Sequence, residues 1–270
     1  MGWAGPAPER AYVRRETRVI LQRARLAIAG TAACLWLTAV GGATVIDFEG
    51  FDNGLEIGGG MHGGAFQPYP GFFTLTANSL GSPVQGASIF DSDPFGPNAG
   101  GSDPDLLVDL GNILILQNDA FSTQTVPGIY DTPNDEEDGG KIRFDFLFPV
   151  ELLSLDLIDI NGNGPVDVIL QDRAGAMRTY NVAEHWTFDI FVQGRGGYDT
   201  LDLTSLDPQT GEGGGLATVS QDALFDPLDV VMLSVIHSGS AGIDNLVFIP
   251  APSALILLAG GLLAPRRRRR

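Results

Sequence analysis

Apolar and polar residues alternate with a period of two over residues 44–249, and glycine or proline interrupts the alternation about every ten to fifteen residues. The clearest segment is 141–148, in which Ile142, Phe144, Phe146 and Phe148 share one face. This period places alternate side chains on opposite faces of a β-strand. We find no helix-length amphipathic pattern in the region. The sequence therefore predicts an all-β protein, and the spacing of its strands favours a β-sandwich, with a jelly roll as the expected form.

Further strands are predicted from the same alternation. A second strand follows a break at Pro149, and a hairpin is predicted from residues 166–172 and 177–182. Later strands are predicted at 188–192, 230–237 and 243–249, of which the last two are expected to pair with each other. The glycine-rich segments 52–71 and 194–215 are predicted to be loops.

The N-terminal end differs in composition from this region. A basic segment precedes the apolar residues 26–40, and the small residues at 39–43 are typical of a signal-peptide cleavage site. The apolar segment is shorter than the roughly 20 residues that a membrane-spanning helix needs. We therefore expect residues 1–43 to be a signal peptide and residues 44–249 to be one exported domain.

The C-terminal end, residues 250–270, is predicted to be a sorting signal. Pro250, Ala251 and Pro252 precede an uncharged segment, 253–265, and a run of five arginines ends the chain. A basic cluster does not follow an apolar segment across a membrane. As a helix this segment would span on the order of 20 Å, which is short of the roughly 30 Å hydrocarbon core. Membrane contact is therefore expected only through the terminal segments.

This tail resembles the PEP-CTERM tails of bacterial surface proteins that exosortases process, with Pro-Ala-Pro as the form of its motif. Residues 242–248, GIDNLVF, resemble the final strand of jelly-roll surface proteins with such tails, and segments 103–106, 110–115 and 134–140 are similar to other parts of them. The resemblance implies an exported β-sandwich of the cell envelope, outer surface or extracellular matrix, sorted by an exosortase-type enzyme. We expect a non-enzymatic role in adhesion or matrix assembly. A carbohydrate-binding module and a polysaccharide-acting enzyme are the alternatives.

The predicted exported domain is strongly acidic. Two of the 33 acids and eleven of the 16 basic residues lie in the leader and the tail, which leaves 31 acids, 5 bases and a net charge of about −26. Such a surface repels nucleic acid, so nucleic acid is not an expected partner. Cations and neutral extracellular polysaccharide are compatible with it. Cys34 lies in the leader, so we expect neither disulfides nor thiolate chemistry in the exported domain.

One candidate site for structural calcium is the segment 159–164. Asp159, Asn161, Asn163 and Gly164 match the opening of an oxygen-ligand calcium loop. The twelfth position is Leu170 rather than the bidentate glutamate of an EF-hand. The alternative is an Asn-Gly hairpin turn that binds nothing.

Two further acidic segments are candidates for the same ion. The first contains Asp91, Asp93, Asp103 and Asp105 beside glycines and prolines, where one loop could fold over a calcium ion. The second is residues 131–138, for which the alternative is a solvated acidic loop. Structural calcium is the one cofactor that the sequence suggests.

Aromatic residues provide candidates for glycan contact. Tyr69, Trp186 and Tyr198 could stack on sugar faces, and the alternative is that their rings are part of the core. The three histidines of the chain show no metal-binding spacing, and residues 239–242 are one residue short of a nucleophile elbow. We therefore predict no catalytic residues and no enzymatic activity.

Overall fold

The computed structural model describes residues 42–58, 67, 69–80, 86–160, 164–188 and 197–251. Nearly all of the predicted signal peptide, the residues Asn161 and Asn163, and the tail from Pro252 onward lie outside the described residues.

The described residues form thirteen β-strands and two short 3₁₀ turns, the latter at Pro104–Leu106 and Asp119–Phe121. The strands are β1 (Thr44–Ile46), β2 (Glu56–Ile57), β3 (Phe73–Ser79), β4 (Ala87–Asp91), β5 (Asn112–Leu116), β6 (Gly140–Ile158), β7 (Val166–Asp172), β8 (Met177–Val182), β9 (Tyr198–Asp202), β10 (Gln209–Thr210), β11 (Leu216–Gln221), β12 (Val230–His237) and β13 (Gly242–Pro250).

All of the strand pairs are antiparallel, and β6 takes part in both layers of the fold. The order is β10-β11-β8-β7-β12-β6-β13-β5-β4-β2, while β3 and β9 also pair with β6, and β1 pairs with β13. The first part of β6 pairs with β3 and β12, and its last part pairs with β9 and β13. The predicted all-β sandwich is confirmed; the finer jelly-roll assignment stays a prediction.

Pro149 lies inside β6 and does not end it, so the predicted break is wrong. The pairing of β12 shifts register between Val230 and Met232, which leaves residues 146–149 of β6 without partners in β12. A proline, which lacks an N–H, is tolerated at such an irregularity. Its carbonyl oxygen accepts a hydrogen bond from the backbone N–H of Ala251 at 2.9 Å. The proline thus marks the point where the strand changes layer.

The predicted pairing of segments 230–237 and 243–249 is also wrong, because β6 lies between β12 and β13. The predicted hairpin is confirmed as β7 and β8, with Val166 opposite Val182. The segment 194–215, predicted to be a loop, contains β9 and β10. Phe188 is in no strand, and the rest of the predicted strand 188–192 lies outside the described residues.

The main apolar core lies between the two layers. Phe73 and Phe144 meet edge to face with ring centroids 5.1 Å apart, and Phe146 and Phe248 do so at 5.5 Å. Such contacts favour a defined packing of rings. A smaller apolar cluster includes Leu106 and Ile158. Leu106 directly follows Asp105, and Ile158 directly precedes Asp159. The small cluster therefore anchors the backbone next to both of these aspartates.

Candidate cation site

Four aspartates from three separate parts of the chain come together and are called here the four-aspartate cluster: Asp103, Asp105, Asp135 and Asp159. Asp103 and Asp105 lie at the 3₁₀ turn Pro104–Leu106, Asp135 precedes β6, and Asp159 follows it. Asp103 Oδ2 accepts a hydrogen bond from the backbone N–H of Asp135 at 3.3 Å. Electrostatic repulsion from Asp105, Asp135 and Asp103 acts on Asp159. The sequence assigns these residues to three candidate segments, and the fold brings them to one place.

The backbone at Asp159 turns sharply as it leaves β6. Its φ is 62°, in the left-handed region that residues with a side chain rarely adopt. Its N–H donates to the carbonyl oxygen of Gly197 at 2.8 Å, one residue before β9. The Asp159 side chain is buried. The turn thus holds a carboxylate inside the protein at a defined place.

Ser240 joins the connection between β12 and β13 to the cluster. Its hydroxyl donates a hydrogen bond to Asp135 Oδ2. Asp135 is itself buried, and its backbone bridges that of Gln117. Ser240 was not predicted to belong to this site, because a serine in a short glycine-containing turn carries no local signal of its distant partner.

Burial and mutual repulsion disfavour the charged form of these carboxyls. Burial raises the pKa of Asp159 to about 9, with further contributions from Asp105 and Asp135. Burial also raises the pKa of Asp135 well above its ordinary value, and the charge of Asp103 adds to this shift. Burial raises the pKa of Asp103 to about 6, although the hydrogen bond from the Asp135 N–H opposes the increase. At neutral pH the cluster therefore needs either protons or a cation.

The ligand chemistry of the cluster suits a hard cation. Carboxylate oxygens bind calcium, which takes six to eight oxygen ligands and completes its shell with backbone carbonyls and water. In the described part of the chain, no three His, Cys, Asp or Glu side chains are placed to hold a metal ion as they stand. A cation at the cluster would therefore also draw on backbone or solvent oxygens.

Asp91 and Asp93 do not take part in the four-aspartate cluster. Asp91 Oδ1 accepts from the backbone N–H of Asp93 at 3.0 Å, and Asp93 Oδ1 accepts from that of Phe95 at 2.8 Å. Both carboxylates thus stabilise a local turn. The remaining predicted ligands, Asn161 and Asn163, lie outside the described residues.

Other acids of the segment 131–138 also have structural partners. Asp131 accepts hydrogen bonds from the backbone and the hydroxyl of Thr125, at 2.8 Å and 2.9 Å. Glu136 Oε2 accepts from the Ser79 hydroxyl at 3.1 Å in the interior. The segment is therefore not simply a solvated acidic loop.

The three predicted glycan-stacking residues differ in exposure. Trp186 is 1% exposed, and a Cβ on Gly211 would lie 2.6 Å from its ring, so the ring has almost no free surface. Tyr69 is half-buried and meets Phe51 edge to face at 5.5 Å. Tyr198 at the start of β9 is 39% exposed. Of the three, Tyr198 offers the most surface to a sugar.

The predicted sorting motif begins inside the domain. Pro250 is the last residue of β13 and lies opposite Val150. Ala251 is buried, and Pro252 lies outside the described residues. The sheet therefore extends one residue beyond the predicted boundary of the domain.

No model of a known protein family matches this chain, and no curated protein matches it either. No helix in the described ranges is long and apolar enough to cross a membrane.

Proposed function

We propose that this chain is an exported, non-enzymatic structural protein of the cell surface or extracellular matrix, with loops that calcium holds in place at the four-aspartate cluster. The observation that carries this proposal is the burial of Asp159 and Asp135 beside Asp103 and Asp105. Adhesion or matrix assembly is the role that suits a rigid, acidic β-sandwich of this kind.

A cation at the cluster would cross-link four parts of the fold. These are the 3₁₀ turn at Pro104–Leu106, the loop with Asp135, the end of β6 and, through Ser240, the turn before β13. Calcium sites in extracellular modules have Kd values on the order of 10⁻⁴–10⁻³ M. A site in this range would fill after export, and the loops would then become rigid.

Export and sorting rest on the two ends of the chain. The leader of residues 1–43 has the composition of a signal peptide, and the tail from Pro250 resembles an exosortase substrate. The test is the intact mass of the protein isolated from its native host. We expect a species without the leader and without the five C-terminal arginines. A mature species that retains these arginines contradicts the sorting part of the proposal.

The calcium part is tested by thermal unfolding in chelator and in millimolar calcium at matched ionic strength. A cation that binds only the folded state adds about 2.7 kcal/mol at a hundredfold excess over Kd, which raises the Tm by several degrees in a domain of about 200 residues. We expect this increase for the wild type and for Asp93→Asn, which removes an equal charge outside the cluster. We expect a smaller increase for Asp159→Asn. Identical wild-type melting curves in calcium and chelator contradict the proposal.

Glycan binding is a second candidate function, and two exposed rings favour it. Tyr198 and Phe188 are 39% and 46% exposed. Their backbones are neighbours, because a Cβ on Gly197 would lie 2.2 Å from the Phe188 carbonyl oxygen. Exposed aromatic rings offer faces on which sugars can stack. A glycan array with the wild type and Tyr198→Ala tests this function, and wild-type binding that the variant retains contradicts the role of this ring.

A further inference from the structure

Strands β3 and β9 each pair with β6 alone, and a glutamine side chain caps the outer edge of each. In β3, the N–H of Leu75 donates to Gln67 Oε1 at 2.6 Å, and its carbonyl oxygen accepts from Gln67 Nε2 at 3.0 Å. In β9, the N–H of Asp202 donates to Gln209 Oε1 at 2.9 Å, and its carbonyl oxygen accepts from Gln209 Nε2 at 2.7 Å. Each amide takes the place of a neighbouring strand, so these edges offer fewer backbone groups to another chain.

The outer side of β11 has no such cap. The N–H of Ala183 donates to the carbonyl oxygen of Leu216 at 3.0 Å, so the even-numbered residues of β11 bond to β8. Because backbone groups alternate sides along an antiparallel strand, Val219 and Gln221 direct their N–H and C=O groups away from β8. On this side β10 pairs only with Leu216 and Ala217. In the described part of the chain, no hydrogen bond reaches the backbone of Val219 or Gln221 there.

The open edge also differs from the rest of the domain in charge. The segment 216–221, LATVSQ, has no charged side chain, although the predicted exported domain is strongly acidic. Asp222 follows the segment, and its Oδ2 accepts a hydrogen bond from the backbone N–H of Met177 of β8 at 2.8 Å. Edge strands commonly carry a charge, often a lysine, that keeps other strands away. The edge of β11 lacks this protection.

Exposed leucines lie beside the open edge. Leu224, shortly after the end of β11, is 86% exposed, and Leu206 is 55% exposed. The residue before Leu206 is Ser205, whose carbonyl oxygen accepts a hydrogen bond from the Tyr180 hydroxyl at 3.2 Å. Tyr180 lies opposite Val219 in register. Apolar surface is thus available next to the unpaired backbone groups.

We propose that the outer edge of β11 is a self-association surface, at which β11 pairs antiparallel with β11 of a second copy of this chain. A two-fold axis at Ser220 places Val219 of each copy opposite Gln221 of the other. Residues opposite each other in such positions exchange both of their backbone hydrogen bonds, so the two pairs form about four bonds. The contact is isologous, because both copies use the same residues.

Two features favour a second copy over a different partner. The uncharged segment brings two acidic copies together without placing carboxylates opposite each other, and like charges in opposite positions are destabilising. A basic partner, by contrast, would find no carboxylate within the strand to pair with. The inference goes beyond the proposed function and depends neither on calcium nor on the sorting of the tail.

The experiment is sedimentation equilibrium of the exported protein over a range of concentrations, in chelator so that calcium does not bridge acidic surfaces. We expect a reversible dimer whose Kd falls as salt increases, because salt screens the repulsion between the copies. Ser220→Asp places two like charges opposite each other on the two-fold axis and should raise Kd at least tenfold. Thr76→Asp adds the same charge at an exposed position of the capped strand β3 and should leave Kd unchanged. A monomer at every concentration and salt, or an equal Kd in both variants, overturns the inference and leaves the calcium and sorting proposals intact.

A second variant and a second measurement keep the test decisive. Val219→Pro removes an outward N–H and no bond to β8, so it is expected to fold even if Ser220→Asp does not. It should also raise Kd at least tenfold, and an unchanged Kd overturns the inference. Amide hydrogen exchange locates the contact, since opening of the edge exposes its N–H groups. Slower exchange of the Val219 and Gln221 amides in the dimer than in the monomer supports the proposed surface, whereas equal exchange in both states overturns it.

Discussion

The carboxylate of Asp103 accepts a hydrogen bond from the backbone N–H of Asp135, 32 positions later in the chain, at 3.3 Å. This contact joins two acidic loops at the end of β6, where Asp159 is buried. Carboxylates in such a place repel one another, so a compact arrangement requires a proton or a cation. The stability of the domain should consequently respond to both pH and calcium.

The first prediction concerns pH in the presence of chelator. The pKa of Asp159 is raised to about 9 by burial and by its acidic neighbours, whereas an aspartate in an unfolded chain titrates near 3.9. Between these two pH values the folded state keeps a proton on Asp159 that the unfolded state has lost, and this proton stabilises the folded state. The stabilisation is fully present below about pH 4 and is lost as the pH rises toward 9. Denaturant unfolding from pH 5 to 9 should show a steeper fall in stability for the wild type than for Asp159→Asn. Parallel curves of unfolding free energy against pH for the two proteins would contradict the raised pKa of Asp159.

The second prediction concerns the choice of cation. Calcium should raise the Tm of the wild type more than magnesium at the same concentration, because magnesium dehydrates reluctantly and requires strict octahedral geometry. Calorimetric melting in each chloride salt, with sodium chloride at equal ionic strength as the control, measures the difference. An equal shift in both divalent salts would indicate screening of the net charge rather than a site.

The third prediction concerns His237 at the end of β12. Burial lowers its pKa to about 4, and neither ring nitrogen has a hydrogen-bond partner among the described residues. The unfolded histidine titrates near 6.5, so the unfolded state gains protons first and stability falls as the pH drops from 6.5 toward 4. His237→Leu should remove this loss and remain at least as stable as the wild type at pH 7. Urea unfolding of the wild type and of His237→Leu at pH 7 and pH 5 tests this prediction. An equal loss of stability in both proteins between these pH values would contradict it.

The fourth prediction concerns the aromatic core. Phe144 is fully buried and contacts Phe73 edge to face. Phe144→Ala should cost on the order of 3–5 kcal/mol, because it removes a large buried ring and leaves a cavity. Leu147 lies in the same strand but is 60% exposed, so Leu147→Ala should change stability by less than about 0.5 kcal/mol. Chemical denaturation of the two variants provides the comparison, and similar costs would contradict the placement of Phe144.

The alternation of side chains was enough to predict the strand character of the chain. Phe144 and Phe146 face the core as predicted, since a period of two is a local property of an extended backbone. The hairpin of β7 and β8 was equally predictable, because its partners are joined by a short turn. Neither prediction requires contacts between distant parts of the chain.

The arrangement of the strands and the composition of the candidate sites were decided by the tertiary structure. β12 and β13 both pair with β6, which is distant in sequence, and the local alternation is the same whichever partner a strand has. Asp103 and Asp159 are recognisable as acidic loop residues, but only the fold places them together with Asp135 and Ser240. Asp244 is a single acid in an apolar strand and has no local signal. Its carboxylate is buried at the point where β13 exchanges β5 for β1.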